Sequence, residues 1–225
     1  LEGISAAFLV TPLGPDETDA GLAFIDAAEK AGVQKIVYVA IMNIEAMSEI
    51  PHFATKVPIR RRLLESDGHV VIDANFFMQN DLLAGPALKA GVYPLPIGTA
   101  GVHSVDARDV GLAAARAMTR TEWDGQAVPV CGPDLITGPR AAEVYSAATG
   151  RAFRYLGDEI DPFIGAISAA MPMDDWVEND LRRMMEVTQK MGCPASNEDL
   201  ERCASILGKP PRSYEAFVQE TAGCL

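Results

Sequence analysis

The heptapeptide KIVYVAI, residues 35–41, decides the fold. Its apolar residues run on without alternating with polar ones, the pattern of a strand buried on both faces of a parallel sheet. Two runs of the same kind flank it. Residues 4–10 (ISAAFLV) stop at Thr11-Pro12, and residues 69–74 (HVVIDA) follow Gly68. Between the first two runs, Asp16 and Glu17 open a helix in which Leu22, Ile25, Ala28 and Ala31 recur at three-residue steps until Gly32. Between the second and third, a loop over 42–51 leads into a helix predicted over about 53–67. Strand, helix, strand, helix, strand in this rhythm predicts an α/β fold, a doubly wound parallel sheet with right-handed crossovers.

The rest of the chain reads differently. A helix is predicted over 76–90, extended pieces over 91–96 and 101–105, and a capped, Ala-rich amphipathic helix over 106–118. A strand at 126–131, a helix capped by Thr137 and reaching about 148, and a short strand at 153–156 follow. From Asp161 onward only helices are expected, punctuated by Pro172, Gly192-Cys193-Pro194 and Gly208-Lys209-Pro210-Pro211. The predicted partition is a sheet domain over 1–135, interleaved with substrate-pocket segments, and a small, mostly helical substrate or cap domain over 136–225.

Composition narrows the function classes. Of 225 residues, 48% are apolar and 22% charged, enough to bury a core and unlike a disordered chain. The net charge of -12 argues against a nucleic-acid partner and against an anionic membrane surface. No apolar run is long enough to span a bilayer, and no signal peptide stands at the N-terminus, so a cytoplasmic location is expected. Cys131, Cys193, Cys203 and Cys224 lack metal-ligand spacing and read as free thiols; no metal site is predicted.

Several segments in order carry a resemblance. FLVTP (8–12), HFATKVPIRRRLLESDGHVVIDANFFMQNDL (52–82), YPLPIG (93–98), VDARDV (105–110) and CGPDLITG (131–138) together resemble the NmrA-like branch of the atypical short-chain dehydrogenases. The resemblance implies a Rossmann-type NAD(P)-binding sheet in which FLVTP ends the fourth strand. Such proteins begin with a strand, a G-x-x-G-x-x-G loop and a helix whose N-terminus receives the pyrophosphate. No such unit precedes Leu1, so the expectation is an N-terminally incomplete Rossmann sheet with an exposed edge, open to pairing with another copy.

The candidate site residues follow from spacing and resemblance together. His52 and Lys56 are four apart on one helix face. The resemblance places Lys56 on the nicotinamide ribose, and an imidazole at His52 is chemically able to donate a proton near neutral pH. Thr11 and Pro12 sit where a strand ends, the edge at which open α/β sheets bind ligands, and with Asn75 and Phe76 they are candidate cofactor contacts. Phe77, Gln79 and Asn80 are candidates for the substrate pocket. The family's catalytic Ser is replaced in the region of Ala40-Ile41-Met42, and its Tyr by His52, so the usual oxyanion-stabilising pair is missing. Structural readings are expected for Arg60-Arg61-Arg62 as a solvated helix face and for His69 and His103. Asp106 and Asp109 read as helix-start acids.

Three functions are carried forward. The first is an NAD(P)H-dependent reductase, NADPH slightly favoured, acting on a small quinone-like or aromatic substrate, with a homo-dimer among its possible states. The second is a non-enzymatic NAD(P)-sensing regulator that binds a partner protein. The third is an inactive, truncated member of the family.

Overall fold

A computed structural model describes residues 1–223; Cys224, expected to be a free thiol, lies outside the described residues. The chain forms two compact units. The first comprises Leu1–Ala74, Arg108–Val130 and Asn197–Pro210; the second comprises Asn75–Ala107, Cys131–Ser196 and residues 211–223. Segments 75–107 and 131–135, which the sequence groups with the sheet, thus cluster with the later helices.

The first unit holds strands β1 (Ala6–Leu9), β2 (Lys35–Ile41), β3 (Val70–Ala74) and β5 (Gln126–Val130), all parallel, in the order β1-β2-β3-β5. Helix α1 (Glu17–Lys30) joins β1 to β2, and α2 (Pro51–Leu64) joins β2 to β3. Proline is well suited to the first turn of α2, because the N–H it lacks would have had no helical partner there. One face of the sheet, including Leu9, Ile36, Tyr38, Ala40 and Val71, packs with Ile25 and Ala28 of α1 and Ile59 and Leu63 of α2 into a single core cluster. Helices α4 (Ala107–Thr119) and α8 (Asn197–Leu207) complete this unit, and Arg202 of α8 donates to the Ala127 carbonyl of β5 at 2.7 Å. The α/β class with a parallel sheet and helices toward the C-terminus is as the sequence predicts.

The second unit carries a 3-10 helix (Met78–Ala84), α3 (Gly85–Lys89), a two-stranded ladder of β4 (Val92–Tyr93) and β6 (Arg154–Tyr155), and α5 (Gly138–Thr149). Helices α6 (Ile160–Ala170), α7 (Asp175–Met191) and α9 (Tyr214–Ala222) follow. Thr137 caps α5 as predicted, its side chain accepting from the Arg140 N–H at 3.2 Å. The Gly132 of CGPD passes so close to the Ser104 carbonyl that a Cβ there would lie 2.0 Å from its oxygen, so only glycine fits.

Two local expectations need correction. The helix predicted over 76–90 is instead an extended start, a 3-10 helix and a short α3. Phe76 and Phe77 are held extended because the Phe76 carbonyl accepts from Val105 and Met78 donates back to Val105, and Pro86 starts a new helix because it cannot continue the old ladder. The extended piece expected at 101–105 is present, held by isolated bridges of Val102 with Ile136 and Cys193 and of Val105 with Phe77. Arg60 is not a solvated cation. It lies one turn beyond Lys56 and pairs with Asp73 of β3, Nη2 to Oδ2 at 2.8 Å, while Arg61 and Arg62 meet Glu45 and Glu29 at the surface.

His69 and His103 have the structural roles expected of them. His69 is buried, and its Nδ1 accepts from the Ile36 N–H at 3.1 Å; burial lowers the pKa of its imidazole and keeps it neutral. His103 Nδ1 accepts from the Ala195 N–H at 2.9 Å.

Candidate functional site

β1 and β2 run side by side with Leu9 opposite Tyr38, and each is followed by a helix that packs against the other. The first turn of α1 and the first two turns of α2 therefore meet at the C-terminal edge of the sheet. Open α/β sheets bind ligands at this edge.

Three predicted positions lie here, and the structure brings two of them together. Lys56 Nζ donates to Thr11 Oγ1 at 3.1 Å, just past the end of β1. It also forms an ion pair with Glu17 of α1. Glu17 is 1% exposed and accepts from the Thr11 hydroxyl and, through Oε2, from the Thr55 hydroxyl at 2.5 Å. Thr11 Oγ1 also lies 3.3 Å from the Tyr38 hydroxyl. Burial pushes the Tyr38 phenol well above its usual range, opposed by the Thr11 hydrogen bond and reinforced by the charges of Glu17 and Asp73, so it stays protonated. Pro12, the third position, is exposed beside Thr11.

An ammonium has three donors. Lys56 directs two of them at Glu17 and Thr11, which leaves one for a ligand oxygen. The residues present thus fit a hydroxyl-bearing group. His52 is half-buried one turn before Lys56, its ring edge-on to Phe53 with centroids 4.6 Å apart.

The remaining predicted residues belong to the second unit. Asn75 is buried, its Nδ2 donating to the Cys193 carbonyl at 3.0 Å and its Oδ1 accepting from the Phe76 N–H at 2.7 Å. Gln79 likewise donates to Asp106 at 3.1 Å and accepts from the Ala107 N–H at 3.0 Å. Both amides thus tie together separate segments of the second unit. Phe76, Phe77 and Asn80 are half-buried. Asp106 and Asp109, expected as helix-start acids, are both fully buried, and Lys209 approaches Asp109 to 3.6 Å.

Sequence reasoning missed Glu17 as a site residue, because an acid in the first turn of a helix is ordinary. It also missed Asp81, a buried carboxylate that accepts from Tyr93 at 3.0 Å, from Tyr145 at 3.2 Å and from Tyr214. Among the described residues no cluster of three or more His, Cys, Asp or Glu side chains is arranged to hold a metal, and no helix is long and apolar enough to cross a membrane.

The parallel sheet with its connecting helices is an α/β fold, and a lysine, two hydroxyls and a carboxylate meet at its C-terminal edge. The NmrA-like family model matches residues 1–209, and the chain belongs to that family. It is 30% identical over 233 residues to an NAD(P)H azoreductase of Xenophilus azovorans, covering 99% of this chain and 77% of that protein. It is 32% identical over 228 residues to a (4-alkanoyl-5-oxo-2,5-dihydrofuran-3-yl)methyl phosphate reductase of Streptomyces griseus, again covering 99% and 77%. Among solved structures, the NADPH complex of an NADPH-dependent quinone oxidoreductase from Escherichia coli superposes with a TM-score of 0.82 at 20% identity, covering 97% of this chain and 77% of that one.

Proposed function

We propose that this chain is an NAD(P)H-dependent reductase of a small quinone-like or aromatic molecule, with NADPH slightly favoured. The observation that carries the reading is the Lys56 ammonium, held beside Thr11 at the C-terminal edge of the sheet with one donor left for a ligand hydroxyl. Support comes from the relatives, two of which are named as reductases, one of them for NAD(P)H. When bound, the cofactor supplies a hydride. Lys56 and Thr11 bind and orient it, and His52, one turn earlier on α2, is the proposed proton donor.

Steady NADPH oxidation on adding a soluble benzoquinone tests this reading. Turnover that falls about tenfold or more in His52→Ala, with cofactor affinity unchanged, is the expected result for a general acid. A second reading, cofactor sensing without catalysis, is favoured by one observation: Ala40, Ile41 and Met42 stand where the family's serine would be, and His52 where its tyrosine would be. Saturable NADPH binding with no turnover on any quinone or azo acceptor would select it.

A further inference from the structure

Glu17 is 1% exposed although it stands in the first turn of a helix, where acids normally face water. A buried carboxylate is strongly unfavourable unless it is both paired and hydrogen-bonded. Here both conditions are met from three directions: Lys56 and Thr55 from α2, and Thr11 from the end of β1. Lysine is a flexible four-carbon stem that loses considerable rotamer freedom when ordered. Ordering it in the free protein removes that cost from ligand binding, which is the general advantage of preorganisation.

We propose that Glu17 is the positioning residue of the candidate site: its carboxylate, itself oriented by Thr11 and Thr55, fixes the Lys56 ammonium at the sheet edge so that its remaining N–H meets a ligand hydroxyl. The ligand part rests on the cofactor reading above; the positioning part does not. If the pair only tied α1 to α2, losing the Glu17 charge would lower stability and leave ligand binding by the folded protein unchanged.

The test has two arms on the full chain. In the first, reductive methylation of the native, cofactor-free protein is read lysine by lysine by mass spectrometry, with the exposed Lys30 and Lys89 as internal standards. An ammonium locked in a buried, hydrogen-bonded pair is shielded from the reagent, so wild-type Lys56 is expected to react about tenfold more slowly than the standards. Glu17→Gln, which keeps the shape and removes the charge, raises the Lys56 rate toward theirs. Glu17→Asp, which keeps the charge on a shorter stem, restores part of the protection. Thr55→Val, a milder change, moves the rate in the same direction as Glu17→Gln and decides the matter if Glu17→Gln does not fold. An unchanged Lys56 rate in folded Glu17→Gln, or in Thr55→Val where it stands in, overturns the proposal.

In the second arm, NADPH is titrated into wild type, Glu17→Gln, Lys56→Met and the double variant. Each single change is expected to weaken binding about tenfold, and the double no further, because the two residues act as one unit. Independent, additive losses would overturn the role toward the ligand. If wild type binds no nicotinamide cofactor, the cofactor reading and the ligand part fall together, while the methylation arm still decides whether Glu17 holds Lys56.

Discussion

At the scale of single residues, the most consequential acid outside the candidate site is Asp81. It is 2% exposed, and the partners it has are phenols: Tyr93, Tyr145 and Tyr214. Burial pushes its pKa up to about 6, against hydrogen bonds from Tyr214, Tyr93 and Tyr145 that pull it down. A carboxyl raised in the folded state has the opposite linkage to a salt-bridged one. Between its ordinary value of 3.8 and about 6 the unfolded chain releases the proton while the folded chain keeps it, so stability falls as pH rises through that window and then levels. The contribution is about 3 kcal/mol, at ~1.4 kcal/mol per pKa unit. Asp81→Asn is therefore expected to gain stability relative to wild type as pH rises from 4 to 7 in urea unfolding. Parallel curves for the two proteins would rule this out. Neither Asp81 nor Glu17 could be read from the sequence, for the same reason. The tyrosines stand 12, 64 and 133 residues from Asp81, and Lys56 stands 39 from Glu17; no local pattern reports such pairings. Thr11 became a candidate from its place at the end of the first strand, and Lys56 from the resemblance more than from its spacing; the structure puts the two within hydrogen-bond distance.

At the scale of elements, periodicity was a sound guide for the central strand and for the amphipathic helices of the first unit. β2 spans the same seven residues, 35–41, that the apolar run marks out, and α1 and α4 end within a residue or so of their predicted limits. It failed over 76–90, where composition suits a helix but hydrogen bonds from Val105 hold the backbone extended. It failed also for Arg60, whose charge suggested water and whose position on the helix gave it Asp73. That pair is mostly shielded, with the two side chains 20% and 12% exposed, and burial raises the Asp73 carboxyl while Arg60 holds it down. Arg60→Ala leaves a largely buried acid without its partner and is expected to cost about 1–3 kcal/mol in chemical denaturation, reduced from the fully buried case by the remaining exposure. The α1–α2 contact makes a sharper demand. A Cβ at Gly21 would lie 2.3 Å from Cδ1 and 2.7 Å from Cγ1 of Ile59, which is itself fully buried. Gly21→Ala ordinarily favours a helix by about 1 kcal/mol, but overpacking costs about 1–3 kcal/mol. A net loss of stability is expected, recovered in part by adding Ile59→Val; a gain from Gly21→Ala alone would contradict the packing described for these helices.

At the scale of the molecule, β1 hydrogen-bonds to β2 and to no other strand among the described residues, and Phe8 within it and Val10 just past it are 45% and 61% exposed. An open, apolar edge of this kind invites pairing with another chain. Concentration-dependent association in sedimentation velocity is therefore expected, and Phe8→Lys should reduce it; a monomer at all concentrations would show that the edge is inert. The proposed cofactor site lies just past the C-terminal end of the same strand, where Lys56 and Thr11 meet. Its most direct test is a titration of the purified chain with NADPH and NADH, followed by nicotinamide fluorescence, with Lys56→Ala alongside. Saturable binding that Lys56→Ala weakens about tenfold or more, as loss of a charge-assisted hydrogen bond implies, is the predicted result. A well-folded chain that binds neither nucleotide, or binds both as well without Lys56, would contradict it.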